Sequence, residues 1–138
     1  MAFTATIQSN NTLVNGTTAE YQHRYDVVLL DGSIPVTATG AIAASVLELG
    51  HHSQLFLELT IPVAPTGTTP AAVFTIETAS QAAPTVWRTL GAFASQNAQV
   101  TTPIRLSMPG ADWWIRVNTT TETGTTPSFS PVIQGQVF

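Results

Sequence analysis

Hydrophobic and polar residues alternate along most of this chain. The clearest run covers residues 54–63, where Leu55, Leu57, Leu59, Ile61 and Val63 fall on one side and Phe56, Glu58 and Thr60 on the other. A period of two is the strand period, because successive side chains of an extended backbone point to opposite faces. Pro62 has no N–H for a ladder, so the strand exits or runs along an edge there. Ala72, Phe74 and Ile76 oppose Val73, Thr75 and Glu77 in the same way. Ile104, Leu106 and Met108 alternate with Arg105 and Ser107. Trp113, Ile115 and Val117 share one face, with Trp114, Arg116 and Asn118 on the other. In 87–93 the parity slips, since Trp87 and Phe93 agree and Leu90 does not; a bulge near Gly91 reconciles them. A last strand closes the chain over 128–138.

Turn chemistry separates these runs. Residues 1–20 read as an N-terminal arm or first edge strand, with Phe3, Ala5 and Ile7 alternating with Thr4 and Thr6. Asn15-Gly16 is a hairpin signal, and Asp31-Gly32 closes the apolar run 25–30. A strand begins within 36–40. Residues 41–49 fit two periods: Ile42, Val46 and Leu49 would share a helical face, whereas Ala43, Ser45, Leu47 and Leu49 share a strand face. The β surroundings favour the strand. The Thr-, Gly- and Pro-rich segments 64–70 and 119–127 read as polar loops, and 79–84 as a turn. No internal repeat stands out. The expected fold is all-β, an antiparallel, jelly-roll-like sandwich of about eight strands: strands recur every 8–12 residues and no helix alternates with them. Residues 21–138 make the single sandwich domain, a size that supports a substantial core.

Composition changes the picture of the surface. Charged residues are only 9% of the 138, against roughly 25% in an ordinary soluble domain. There is no lysine; the cations are Arg24, Arg88, Arg105 and Arg116. Threonine occurs 23 times and takes the place of charge on the wettable faces, being β-branched and still polar. Such a surface suits a protein much of which is covered by neighbours. The net charge of −4 argues against nucleic acid, which requires a basic face, and against an anionic membrane surface. There is no Cys, so no disulfide and no thiolate site. The first residues lack the basic and apolar regions of a signal peptide, and no apolar run approaches a membrane span; synthesis in a cytoplasm without export is expected.

Candidate chemistry is sparse. His51 and His52 are adjacent, so in a strand they point to opposite faces and do not share an ion; no spacing joins them to His23. Glu58 and Glu77 lie on neighbouring strands of the sequence and are the one carboxylate pair considered for a glycosidase. Outward acids paired with Arg88 or Arg116 are the plainer reading. Ser45, Ser53 and Ser107 lie in no nucleophile elbow, and no Gly-rich phosphate loop opens a helix. No catalytic residue, cofactor or metal is expected. Of Trp113 and Trp114, which point opposite ways, one is assigned to the core, and burial of all three tryptophans is the leading reading. An exposed Trp114 or Trp87 would instead stack on sugar rings or anchor a protein interface, where Trp and Arg are enriched.

The segments VTATG at 36–40, ASVLELG at 44–50, LFLELTIPV at 55–63, FTIET at 74–78, WRTLGAF at 87–93, WIRV at 114–117 and GTTPSFS at 124–130 resemble small β-sandwich structural proteins of tailed bacteriophages, especially phages of high-GC hosts. The resemblance covers about residues 36–138 and rests on hydrophobic and turn patterns. It departs at 79–84, which lacks the Asp-Gly usual in that hairpin. It implies a capsid decoration (cement) protein on the outer surface of the virion head, bound to the major capsid protein and to its own copies, a homotrimer by analogy with threefold capsid positions. Phe3, Ile7, Trp87, Trp114 and Arg116 are the interface candidates. A tail or head–tail component, a carbohydrate-binding module for surface attachment and a small hydrolase are the rivals.

Overall fold

The computed structural model describes residues 3–9, 12–13, 21–22, 25–50, 54–81 and 85–138. Asn15-Gly16, Arg24, the three histidines and part of the 79–84 turn lie outside the described residues. The strands are β1 (Thr6–Ser9), β2 (Thr12–Leu13), β3 (Tyr21–Gln22), β4 (Tyr25–Asp31), β5 (Gly40–Ala41), β6 (Leu47–Glu48), β7 (Gln54–Ile61), β8 (Thr66–Ala79), β9 (Arg88–Ala92), β10 (Val100–Pro109), β11 (Trp114–Ser128) and β12 (Val132–Val137). One sheet has the order β1-β4-β12-β7-β10. The other has the order β5-β11-β8-β9, with β6 also on β11, and β2 pairs with β3 alone. All pairings are antiparallel. From β4 onward the chain changes sheet at every connection except β5 to β6 and β8 to β9. With β1 set aside as an added edge strand and β5 and β6 counted as one position, four strand positions face four in jelly-roll order.

The alternation read from the sequence sets the two inner faces. Leu55, Leu57, Leu59 and Ile61 of β7 meet Phe74 and Ile76 of β8, Ile115 and Val117 of β11, and Ile133 of β12 in one buried core. Phe74 and Phe129 pack edge to face at 6.0 Å, an arrangement aromatic pairs prefer. The expected bulge is present: Ile76 pairs with Gly91 and Glu77 with Thr89, leaving Leu90 as the extra residue. Pro62 follows the end of β7, and Val63 beyond it is 68% exposed.

Three expectations are overturned. Residues 41–49 are not one strand. A 3-10 turn, Ala43–Ser45, separates β5 from β6. It lifts the backbone away from β11, and Ser45 repairs the gap. The Val117 N–H donates to Ser45 Oγ at 2.8 Å, and the hydroxyl donates to the Ile42 carbonyl at 2.6 Å. A side chain thus replaces a strand carbonyl in the ladder, which satisfies a buried amide.

Residues 64–70 and 119–127 are also not free loops: β8 starts at Thr66 and β11 runs to Ser128. Both carry the pentapeptide TGTTP, at 66–70 and 123–127, an internal repeat that the sequence reading passes over. The copies pair antiparallel about Thr68 and Thr125. Gly67 and Gly124 have φ of 101° and 110°, and Thr69 and Thr126 have φ of 48° and 47°. Each of those threonines donates its hydroxyl to the carbonyl just before it at 2.8 Å. A methyl on Gly67 would lie 2.6 Å from the Thr126 oxygen, and one on Gly124 would lie 2.8 Å from the Thr68 oxygen. The repeat therefore builds a locally twofold double irregularity that only glycine allows, since the backbones approach where a Cβ would stand.

The tryptophans supply the third correction. None of the three belongs to the central cluster, and all are half-buried. Trp114 faces outward with Arg116, and Trp113 lies in the turn before β11.

Two outcomes follow from these contacts. Ser45→Ala leaves the buried Val117 N–H without its acceptor and should cost about 1–3 kcal/mol in denaturant unfolding, with faster hydrogen exchange at Val117. Gly67→Ala and Gly124→Ala should each destabilise by about 1–3 kcal/mol or more, and their similar surroundings predict similar losses in thermal unfolding.

Candidate interaction surfaces

A jelly roll has two outer faces, and here they differ in kind. On the outer face of the β5-β11-β8-β9 sheet, Glu77 of β8 and Arg116 of β11 stand opposite each other in register. Arg116 Nε donates to Glu77 Oε1 at 2.8 Å, and Asn118 Nδ2 donates to Glu77 Oε2 at 3.1 Å. The guanidinium lies 4.1 Å from the centre of the Trp87 ring. The two charged side chains are only 21% and 12% exposed, which strengthens the attraction relative to a fully solvated pair. Thr75 and Thr120 extend this face with a hydroxyl–hydroxyl bond at 3.0 Å. At the rim Arg88 grips Asp112 with two bonds, at 2.8 and 3.1 Å. Asp112 is held in turn through its N–H, which donates to the buried Thr78 hydroxyl at 2.9 Å. Pairing with Asp112 raises the Arg88 pKa above its already high value, chiefly through the hydrogen bonds.

The outer face of the other sheet is a groove of about 800 Å³. Register sets two rows of side chains across its strands. One row is Val28, Gln134, Glu58 and Arg105, and the next is Asp26, Gln136, Phe56 and Ser107. Phe56 is 41% exposed and makes an edge-to-face contact with Phe138 at 5.6 Å. Arg105 pairs with Glu58 at 3.1 Å. Gly135 lies between the two glutamines of β12, and a methyl there would stand 1.9 Å from the Phe56 carbonyl oxygen. Absence of a side chain at Gly135 thus lets β12 and β7 close up beneath the groove.

The sequence-predicted residues divide accordingly. Trp87 and Arg116 are brought into contact, with Trp114 two residues from Arg116 on the same face of β11. Phe3 and Ile7 lie elsewhere, at the β1 edge of the opposite sheet. Ile7 pairs with Val27 and is 37% exposed. Just before β1, the Ala5 N–H donates to the Ala44 carbonyl at 2.8 Å, tying this edge to the 3-10 turn. Glu58 and Glu77 are not neighbours. They occupy different sheets and face outward on opposite sides of the sandwich, because the chain crosses from one sheet to the other between β7 and β8. Glu77 does pair with Arg116, but Glu58 pairs with Arg105 rather than with either arginine expected. The groove itself was missed. Its signal is the polar parity of β12, in which Gln134 and Gln136 alternate with Ile133 and Val137.

One carboxylate is out of place. Glu122 stands opposite Ala72, whose methyl is in the core. Both of its oxygens are buried without a hydrogen-bond partner among the described residues, as are Trp114 Nε1 and Thr119 Oγ1. Asp31 differs: bonds from the Ser33 hydroxyl and N–H hold its pKa below the usual carboxylate value. Among the described residues no group of three His, Cys, Asp or Glu side chains is placed to hold a metal ion. No family model, curated protein or solved structure matches this chain.

Burial raises the Glu122 pKa above its ordinary 4.5. The folded protein therefore binds that proton more tightly than the unfolded chain, and at neutral pH the ionised group costs stability. The cost is removed as pH falls through the raised folded value toward 4.5. Glu122→Gln should raise the melting temperature at pH 7, a gain on the order of 1 kcal/mol. The gain should shrink steadily as scans are repeated at lower pH through that window.

Proposed function

We propose that the chain is a structural protein of a tailed-phage virion, a head decoration protein that binds the outside of the capsid and bridges adjacent capsomers. The observation that carries the reading is the ordered patch of Trp87, Arg116, Glu77 and Asn118. Its groups already satisfy one another, so covering them costs little further desolvation or side-chain entropy. Interface anchors are enriched in Trp and Arg packed in this way. The jelly roll supplies a rigid body for such contacts, although the fold by itself hosts many functions. The low-charge, Thr-rich surface supports the same reading, since burying unpaired charge is expensive. On this proposal the patch contacts the major capsid protein, the N-terminal edge with Phe3 and Ile7 meets another copy, and threefold capsid positions make the assembly a homotrimer. The mechanism is mechanical: pressure from packaged DNA is resisted across more contacts.

Averaged images of the intact particle should show the protein at regular positions on the outer shell. Particles lacking it should release DNA at lower temperature. Trp87→Ala should weaken attachment by on the order of 2 kcal/mol while leaving the fold intact, because Trp87 is outside the core. Density confined to the tail, or equal DNA release with and without the protein, would overturn the decoration role.

A further inference from the structure

The turn that leaves β4 joins three residues whose demands conflict. Gly32 has φ of 90°, a left-handed value that favours glycine. A methyl there would also stand 3.2 Å from Val132 Cγ2, on the strand beside β4. The fold thus calls for glycine at 32, directly after the aspartate that ends β4. An Asp-Gly bond is the least shielded of aspartyl bonds, because no side chain hinders the amide nitrogen that follows the aspartate. Asp31 is exposed, so its carboxyl is also open to water. Ser33 acts from the other side of the glycine. Its N–H donates to Asp31 Oδ1 at 3.0 Å, and its hydroxyl donates to the same oxygen at 2.5 Å. Two other aspartates precede bulkier residues: Asp26 precedes Val27, and Asp112 precedes Trp113.

We infer that Asp31-Gly32 is a self-modification site of this chain, at which the two Ser33 donors hold back closure of a succinimide ring. In that reaction the Gly32 nitrogen bonds to Asp31 Cγ. The nitrogen loses its proton and one carboxyl oxygen leaves as water, so no oxidant or other reactant is consumed. Water then opens the ring. Attack at Cγ breaks the new bond and restores aspartate. Attack at the Asp31 main-chain carbonyl breaks the original peptide bond and leaves isoaspartate, whose backbone runs through the side-chain carbon. Closure proceeds through the neutral carboxyl, because the departing oxygen must leave as water, and it requires Cγ to turn onto the Gly32 nitrogen. The Ser33 bonds oppose both. They favour the ionised form, in line with the lowered pKa of Asp31, and they draw Oδ1 toward Ser33. Pairing of Asp31 with Val132 holds the main chain at the same place. Isomerisation here has a structural consequence. Residues 32–35 carry the chain from the end of β4 to Val36, which exchanges two backbone hydrogen bonds with the buried Phe129. An added backbone carbon at 31 would displace that crossing. The inference is independent of where on a particle the protein sits.

The test is ageing of the intact chain in buffer at about pH 6, above the ordinary aspartate pKa, beside the same chain unfolded in guanidinium chloride. A protease that cuts before aspartate but spares isoaspartate reads the site by itself. Loss of the cut before Asp31 is measured, separately from any change at Asn15-Gly16. The unfolded chain should lose that cut, and the folded chain should lose it about tenfold more slowly or less. Ser33→Ala should age about threefold faster than the folded parent or more, having lost one of the two bonds to the carboxylate. Ser33→Thr keeps both donors and should age like the parent. Hydrogen exchange at Val36 and Phe129 should be unchanged in Ser33→Ala, which separates release of the carboxyl from loosening of the turn. Equal ageing of folded and unfolded chains would overturn the inference. So would Ser33→Ala ageing no faster than the parent, faster ageing matched by faster exchange at Val36 and Phe129, or no isoaspartate at position 31 even in the unfolded chain.

Discussion

The long antiparallel pairing of β8 with β11 is the constraint on which the rest of the structure depends. These two strands are the longest and form the centre of their sheet. Their inner residues, Phe74, Ile76, Ile115 and Val117, provide half of the core wall. Their outer residues, Glu77, Arg116 and Asn118, form the ordered polar patch. Register makes both outcomes inseparable: a slip by one residue would carry the charged pair into the core and the aliphatic set into water. The pairing is locked at both ends. At one end the Thr78 hydroxyl donates to the Trp114 carbonyl at 2.8 Å and accepts from Asp112. At the other, the twinned TGTTP segments fit only against each other, each glycine making room for the other strand's carbonyls.

Electrostatics follows the same economy. Each arginine among the described residues has an acidic partner, and the partners lie on three different parts of the surface. The Arg88–Asp112 and Arg105–Glu58 pairs are well exposed, and such pairs contribute little to stability. Arg116–Glu77 is mostly covered, and its value lies in holding a guanidinium flat against Trp87. With the three described arginines neutralised locally, the net charge of −4 is the sum of the five other carboxylates and Arg24. Among the described residues no arginine is left unpaired to supply a positive field that would steer a polyanion.

Much of the architecture was legible because alternation is a direct consequence of extended geometry. The runs in β7, β8, β10 and β11 each read correctly by parity, and even the bulge beside Gly91 announced itself as a parity break. At 64–70 and 119–127 composition was allowed to stand for geometry. Thr-, Gly- and Pro-rich stretches resemble loops, yet threonine is a good strand residue, and TGTTP opposite TGTTP satisfies its own backbone. The repeat was visible as two identical five-residue strings. The 3-10 turn at 43–45 hid because Ser45, Leu47 and Leu49 keep the strand parity across it. Trp113 and Trp114 misled for another reason. Large aromatic area suggests a core, but strand parity placed Trp114 with Arg116, and parity was the better guide. The separation of Glu58 from Glu77 depends on which sheet each strand joins, and no local pattern carries that information.

The two faces of the sandwich illustrate how one strand grammar yields two kinds of surface. Both place polar residues at every second position. On the β8–β11 face a cross-strand acid meets a cross-strand base, a neighbouring amide completes the carboxylate, and a tryptophan closes over the guanidinium. Within that cluster the charged groups satisfy one another, while the nearby Trp114 Nε1 has no hydrogen-bond partner among the described residues. On the β7–β12 face the acid and base of one row are joined, but the glutamines beside them meet valine, aspartate and an exposed phenylalanine instead of complementary partners. The difference follows the pairing register, which sets Gln134 between Val28 and Glu58 and Gln136 between Asp26 and Phe56. What each face presents is thus written into the order in which the strands meet.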